Sequence, residues 1–521
     1  MKAYRRFLLA LSVLTIAIAG AVFPLFTDEV AYRLVLSRFL WDRFNLVYFF
    51  PLCPTAPSAA PSSWGLGLFL QSVIYGWASS PLGFRAISLV FTLGIYFWFY
   101  KLTTTSKASA LQTLPSALLV GLLPLSFILG RPEQLITLVL LASISLYLLH
   151  AERRAAVALY QAAVCALALI ILTLHPKTLF FTPFFLLLIF VGGWKKITTY
   201  IFGAWVTVTA FQSFRFYQAA LSCENVGITR DKLNLALVAQ QLDLSAIFSV
   251  GLNNLLSIVF PFLFQIFPTS ADYPYFIFPV KLPFWASIIG NAAFCFVLVG
   301  FLVYLLSLCI DYGKILLRRE GESPSSFVPL FFSGGILAQQ FFQTYKNFYD
   351  SQHILPCLIC LAILLVFSGA KGFSLFSNRL WIALSLTAVA VSQVIFIFGV
   401  SGELRSALKG EIPGGLESRY FVGALDPSRT EDAVLTAARN CGDIVGENKL
   451  RLILDDTTYL PLARHTREPL HASYVPFSWI LQGEEVDLQK LEVDGVFVRC
   501  DSINQKIIGR FRSEAGYCCL R

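Results

Sequence analysis

The chain has 521 residues, of which 56% are hydrophobic, 15% aromatic and 14% charged, with a mean hydropathy of +0.69. That composition lies far from soluble-protein usage and points to a multi-pass membrane protein. A formal charge of +9 would suit nucleic acid, but many Lys and Arg residues sit in short connections between apolar runs, where they orient spans rather than track phosphates.

Lys2, Arg5 and Arg6 precede the first apolar run, Phe7 to Phe26. Phe23-Pro24-Leu25-Phe26 makes a poor signal-peptide cleavage site, so the run is expected to remain as the first span. About eleven runs approach the roughly 17 to 25 residues that cross hydrocarbon. The others are Leu82 to Tyr100, Leu111 to Leu129, Gln134 to His150, Ala155 to Leu174, Thr178 to Gly193, Ile197 to Phe211, Pro283 to Ile310, Phe327 to Phe342, Ile354 to Phe367 and Leu380 to Val400. With the N-terminus inside, the basic loops containing Lys101 and Lys107, Arg153-Arg154, Lys195-Lys196, Lys314 to Glu320 and Lys371 to Arg379 all fall on the inner side, as the positive-inside rule requires. Phe248 to Phe267 is also apolar, but counting it would turn the later basic loops outward. It is therefore expected to be in-plane or re-entrant.

The outer face then carries the elaboration: loops 27–81 and 212–282 and everything after Val400. No inner loop contains a phosphate-cradling glycine motif, so nucleotide-driven transport has no visible engine. Asp28 and Glu29 follow the first span at once, on the outer side. From Glu29 to Asn45 the polar residues Glu29, Arg33, Ser37, Arg38 and Asp42 recur at helical spacing, as in a helix lying in the interface. By spacing alone, the acidic pair serves first as a cap for that helix and second as a catalytic group.

A first span, an outer Thr27-Asp28-Glu29 at its exit, a surface helix, many further spans with Gly130-Arg131-Pro132-Glu133 at the next outer turn, and an outer tail resemble the polyprenyl-phosphate-sugar-dependent glycosyltransferases of the C superfamily. Protein O-mannosyltransferases and lipid A aminoarabinose transferases are similar examples. The resemblance implies transfer, with inversion, of a sugar from a polyprenyl-phosphate carrier to a glycan, lipid or protein acceptor on the outer leaflet. It raises catalysis for Asp28 above capping.

Such a reaction needs a carboxylate to take the acceptor's proton, for which Asp28 is the candidate and Glu29 the alternate. It also needs fixed cations where negative charge grows on the departing phosphate. Arg131, Lys177, Lys346 and His353 stand near outer span ends, where a lipid phosphate would sit. Each has a plainer role: Arg131 paired with Glu133, Lys177 reaching headgroups, Lys346 and His353 in an interfacial turn. Arg85 reads as an anchor. The resemblance leaves room for a divalent cation, since some members of the superfamily use one and others do not.

The expected architecture is thus an α-helical polytopic membrane protein with about eleven spans and interfacial outer-loop helices. Residues 1–400 form the transmembrane glycosyltransferase domain, and 401–521 a small soluble α/β domain on the outer face, periplasmic in a bacterial inner membrane. Ser428-Arg429-Thr430-Glu431 opens a helix to about Asn440. Leu450 to Leu454, Val493 to Cys500 and Tyr517 to Leu520 read as strands. Asp455-Asp456 reads as a turn after a strand, with substrate contact as the second role. Cys441, Cys500, Cys518 and Cys519 all fall in the tail, where an oxidising compartment permits at least one bond from Cys441 or Cys500 to the C-terminal pair. Cys357 and Cys360 lie in an apolar run and read as core thiols. A lipid-linked glycan transporter or flippase ranks second; charges near span ends and the lack of a repeat argue against it. A glycan ligase or polymerase lies closer to the first reading.

Overall fold

A computed structural model describes residues 10, 14, 25–26, 66–75, 81–105, 132–153, 156–193, 195–221, 244–256, 282–318, 324–342, 354–373, 379–408 and 421–422, and in the tail 431–442, 444–446, 449–455, 458–462, 465–467, 470–471, 488, 492–500 and 503–521. Strand β1 (Leu25–Phe26) is followed by helices α1 (Leu66–Tyr75), α2 (Pro81–Thr105), α3 (Pro132–Arg153), α4 (Val157–Leu172), α5 (Thr182–Val191), α6 (Ile197–Leu221), α7 (Leu244–Leu256), α8 (Phe284–Leu317), α9 (Val328–Phe342), α10 (Leu355–Phe367) and α11 (Arg379–Leu408). The tail adds β2 (Phe421–Val422), α12 (Glu431–Asn440), β3 (Leu452–Leu454), α13 (Tyr459–Leu462), β4 (Leu470–His471), β5 (Gly495–Arg499), β6 (Arg512–Glu514) and β7 (Tyr517–Leu520). Among the described residues, three helical stretches are long and apolar enough to cross a membrane: Pro132–His150, Phe284–Leu317 and Arg379–Gly399.

These helices are apolar on nearly every side, so they bury one another and leave large side chains such as Phe97, Trp205, Leu306 and Val394 exposed. A helix apolar all round belongs in a core or in lipid. With no water to drive association, packing relies on close fit and small residues. Gly300 of α8 takes the ring of Trp381 from α11, a contact that a Cβ would displace.

The bundle has two unlike ends. At one, Tyr147 of α3 donates to the Ser325 carbonyl at 3.1 Å, the Tyr312 hydroxyl of α8 donates to the Ser326 carbonyl, and Asp311 accepts from the Lys371 N–H at 2.7 Å. Gln161 of α4 closes the same end by donating to the Ile189 carbonyl and to Thr199 Oγ1. Exposed Lys195, Lys196 and Lys371 gather here. The other end collects the starts of α2, α3 and α10 and the finishes of α4 and α9, and it holds most of the buried polar side chains.

Helix α7 covers the first part of the apolar segment expected to lie in-plane. Its described part is 13 residues long. It docks on the end of α9: Asn254 Nδ2 donates to the Phe341 carbonyl at 2.9 Å, and Gln340 Nε2 donates to the Asn254 carbonyl at 2.7 Å. Leu244, Phe248 and Leu252 stay exposed on its far side.

The tail forms a five-stranded sheet in the order β4-β3-β5-β7-β6. β3 runs parallel to β4 and β5, whereas β7 is antiparallel to β5 and β6. Two disulfides fasten it: Cys441–Cys519 joins the end of α12 to β7, and Cys500–Cys518 joins the end of β5 to β7. Their sequence separations of 78 and 18 correspond to about 4.5 and about 3 kcal/mol of lost unfolded-chain entropy. Asp455 plays the turn role: Oδ1 accepts from the Thr458 N–H at 3.0 Å and Oδ2 from the Arg499 N–H at 2.7 Å. Its carboxylate ties the β3 turn to β5.

Candidate functional site

The polar end of the bundle is built on three walls. Helix α1 carries Gly67, Gln71 and Tyr75 four residues apart, hence on one face. At Gly67 the helix meets the finish of α4: its N–H donates to Thr173 Oγ1 at 2.7 Å, and a Cβ would run into the Ile170 carbonyl oxygen. At Tyr75 it meets the start of α3, where the tyrosine hydroxyl donates to Gln134 Oε1. Gln134 Nε2 in turn donates to the Ser88 carbonyl at 3.1 Å and to Thr92 Oγ1 at 3.3 Å on α2.

The third wall is a short 3₁₀ turn, Pro176–Phe181, between α4 and α5. Pro176 suits its first position. His175 caps it by accepting the Lys177 N–H on Nδ1 at 3.2 Å, and Thr178 Oγ1 donates to the Ile171 carbonyl at 2.6 Å. This turn aims Lys177 at α3, where Nζ lies 2.6 Å from Glu133 Oε1. Lys177 is 2% exposed and Glu133 4%. A buried pair of this kind is held only by geometry good enough to offset two desolvated charges, and removing one partner leaves the other stranded.

One turn before Ser88, Arg85 is 2% exposed. A buried charge in an apolar helix is a functional-site signal by default, because lipid and protein interior both disfavour it. Gln71 is fully buried, and among the described residues neither of its amide atoms has a hydrogen-bond partner; the same holds for buried Ser88 Oγ. Burying an amide unpaired costs on the order of 1–3 kcal/mol.

Of the residues singled out in the sequence, Lys177 is placed at this end and is paired with Glu133. Glu133 therefore partners a lysine 44 positions away. Asp28, Glu29, Arg131, Lys346 and His353 lie outside the described residues, as does the surface helix expected from Glu29 to Asn45. The strand that immediately precedes Thr27-Asp28-Glu29 is described: Leu25 pairs with Val422 and Phe26 with Phe421, antiparallel. The chain before the acidic pair is thus joined to the chain leading into the tail domain. Among the described residues no three His, Cys, Asp or Glu side chains form a group suited to a metal.

Arg85, Glu133, Gln134, Gln71 and Tyr75 were not selected from the sequence. A signal existed for two of them: Gln71 interrupts the apolar stretch Leu66–Tyr75, and Arg85 falls inside a span. Arg85 was obscured because polar residues near span ends usually face headgroups, and Gln71 because its stretch falls within the outer loop 27–81.

No family model matches the chain, and no curated protein matches it in sequence. Two solved structures follow a similar course. One is the archaeal oligosaccharyltransferase AglB from Archaeoglobus fulgidus in complex with an inhibitory peptide and a dolichol-phosphate, with 12% identity, a TM-score of 0.44 and coverage of 95% of this chain and 69% of that one. The other is ArnT from Cupriavidus metallidurans bound to undecaprenyl phosphate, with 11% identity, a TM-score of 0.48 and coverage of 100% and 98%. Likeness at this level concerns the path of the chain, and the functional reading rests on the residues.

Proposed function

We propose that the chain is a membrane glycosyltransferase of about eleven spans that moves a sugar, with inversion, from a polyprenyl phosphate to an acceptor on the outer face of the membrane. In a bacterium this is the periplasmic face of the inner membrane. The observation that carries the reading is the segregation of charge: Arg85, Glu133 and Lys177 are buried at one end of the bundle, while Lys195, Lys196 and Lys371 sit at the other. The basic end belongs inside by the positive-inside rule, so the buried polar end opens outward.

Two further features support that orientation. Pairing of Leu25–Phe26 with Phe421–Val422 requires both segments on one face, and hence an even number of crossings between them. The reading of about eleven spans places ten there. The disulfides of the tail suit an oxidising compartment.

In the reaction, the acceptor's oxygen or nitrogen attacks the anomeric carbon while its proton passes to Asp28, and Glu29 supports the base. The bond from that carbon to the phosphate oxygen breaks, and its electron pair leaves with the polyprenyl phosphate. Arg131, Lys346 and His353 supply positive charge at that oxygen. Lys177, paired with Glu133, adds a further cation beside them. A divalent cation is an assay variable, separated by chelation.

The test is reconstitution of the purified chain with polyprenyl-phosphate-linked sugars. Wild type is expected to release free polyprenyl phosphate as the acceptor is glycosylated, and Asp28→Asn to lose about 100- to 10,000-fold in kcat at unchanged expression. Full transfer by Asp28→Asn would remove the base. Movement of the intact lipid-linked sugar between leaflets without release of the carrier would mark a flippase instead.

A further inference from the structure

Gln71, at the polar end of the bundle, is a side chain whose chemistry the proposed reaction does not use. Gln71 sits in the middle of the α1 stripe, between Gly67 on Thr173 and Tyr75 on Gln134. The walls that this stripe bridges are joined a second time by the ion pair, since Lys177 follows Thr173 by four positions and Glu133 directly precedes Gln134. The middle of α1 therefore lies between the two walls that the Glu133–Lys177 pair also joins.

Within that frame Thr173, Tyr75, Gln134, Glu133 and Lys177 each make a side-chain hydrogen bond or ion pair, whereas Gln71 makes none among the described residues. Its amide offers two donors and an acceptor, it is fully buried, and both its nitrogen and its oxygen lack a partner. Tyr75, one turn away on the same face, does reach across to α3, so the position could have evolved a partner with the same geometry. A methionine or leucine would fill the space without stranding polar atoms, and apolar side chains surround it in the sequence, Leu66-Gly-Leu-Phe-Leu-Gln71-Ser-Val-Ile-Tyr75. A buried amide kept open in both senses, beside a neutral ion pair, matches a ligand that is itself uncharged and both donates and accepts: adjacent hydroxyl groups of a sugar. A bare phosphate, acceptor-rich and anionic, would use the cations and leave the amide oxygen unsatisfied.

We infer that Gln71 is a binding residue for the hydroxyl groups of the donor sugar, held next to the carrier phosphate by the frame of Gly67, Tyr75, Gln134 and the Glu133–Lys177 pair. This inference rests on the lipid-linked donor proposed above and assigns the sugar side of that site. Gln71 takes no part in proton transfer; it discriminates a loaded carrier from an empty one.

The test compares wild type with Gln71→Met and Gln71→Leu, each as the purified full chain in detergent. Two quantities are measured: the melting temperature, and the affinity for decaprenyl phosphate, bare or carrying mannose, glucose, galactose or N-acetylglucosamine. Wild type is expected to bind at least one loaded carrier more tightly than the bare one. Gln71→Met is expected to lose roughly tenfold or more in affinity for that loaded carrier, about 1.4 kcal/mol, with bare-carrier affinity unchanged and a melting temperature equal to or above wild type.

Retained preference for the loaded carrier in both variants would overturn the inference, as would equal wild-type affinity for loaded and bare carriers. So would a fall in melting temperature or a failure to fold in both variants, since the amide would then have an internal structural role. If wild type binds neither carrier, the lipid-phosphate reading itself fails. The bare-carrier arm thus separates the two failures.

Discussion

At one end of the helical bundle the charged side chains Lys195, Lys196 and Lys371 stand exposed, and at the other Arg85, Glu133 and Lys177 are buried almost completely. The same residue type thus performs two different tasks. An exposed lysine beside a span keeps its hydration and needs no partner; its effect is on which way the chain threads. A buried lysine has lost its hydration and needs a carboxylate at 2.6 Å, so its position depends on the surrounding fold. The exposed end should tolerate substitution, and the buried end should not.

Removing Glu133 should give the largest effect on stability. Glu133→Ala leaves the Lys177 ammonium buried without its carboxylate and should cost about 3–5 kcal/mol, read as a lowered melting temperature in detergent. Replacing the pair together, Glu133→Leu with Lys177→Met, should restore most of that stability. If the buried end serves only to hold helices together, the double variant will also transfer sugar normally; loss of transfer in a stable double variant would sharpen the contrast.

A smaller effect is expected at Gly67. Gly67→Ala forces α1 away from the Ile170 carbonyl oxygen and should cost about 1–3 kcal/mol, as overpacking does. Transfer should fall with it, because Gln71 and Tyr75 ride on the same helix face. Unchanged melting behaviour would mean that α1 does not dock on α4 as described.

The smallest effect belongs to the exposed end. Lys195→Gln with Lys196→Gln should stay within about 0.5 kcal/mol of wild type, as measured by thermal unfolding. A destabilisation comparable to that of Glu133→Ala would break the distinction between the two ends.

Much of the helical pattern was legible in the apolar runs. The expected span Gln134 to His150 is the middle of α3, and Ile354 to Phe367 is nearly α10. Several helices run past the expected spans for one reason. Ile197 to Phe211 continues to Leu221, Pro283 to Ile310 to Leu317, and Leu380 to Val400 to Leu408. Hydropathy marks where a segment is apolar, whereas helix hydrogen bonds run between residues four apart and continue past that boundary into polar sequence. The run Thr178 to Gly193 fails differently: its first turn is the 3₁₀ segment that delivers Lys177, and composition does not distinguish a 3₁₀ turn from an α-helix.

The site was legible only in part. Lys177 stood out because cations are uncommon beside the outer ends of spans. Its partner did not, since the only charge near Glu133 in sequence is Arg131, and a local reading assigns neighbours to each other. The tail cysteines were recognised as bond-formers from their number and placement, but their pairing depends on which residues β7 brings beside α12 and β5.

Composition and apolar run length were sufficient by themselves to indicate a membrane protein and an approximate set of apolar helices, because each is a local property that the bilayer reads segment by segment. Which charges are buried, that Lys177 meets Glu133, that the chain before Asp28 pairs with Phe421–Val422, and that Gln71 is buried without a partner among the described residues were decided by the tertiary structure. These depend on helices distant in sequence being brought within a few ångströms. The burial that results makes an unmatched polar atom costly enough to signal a ligand.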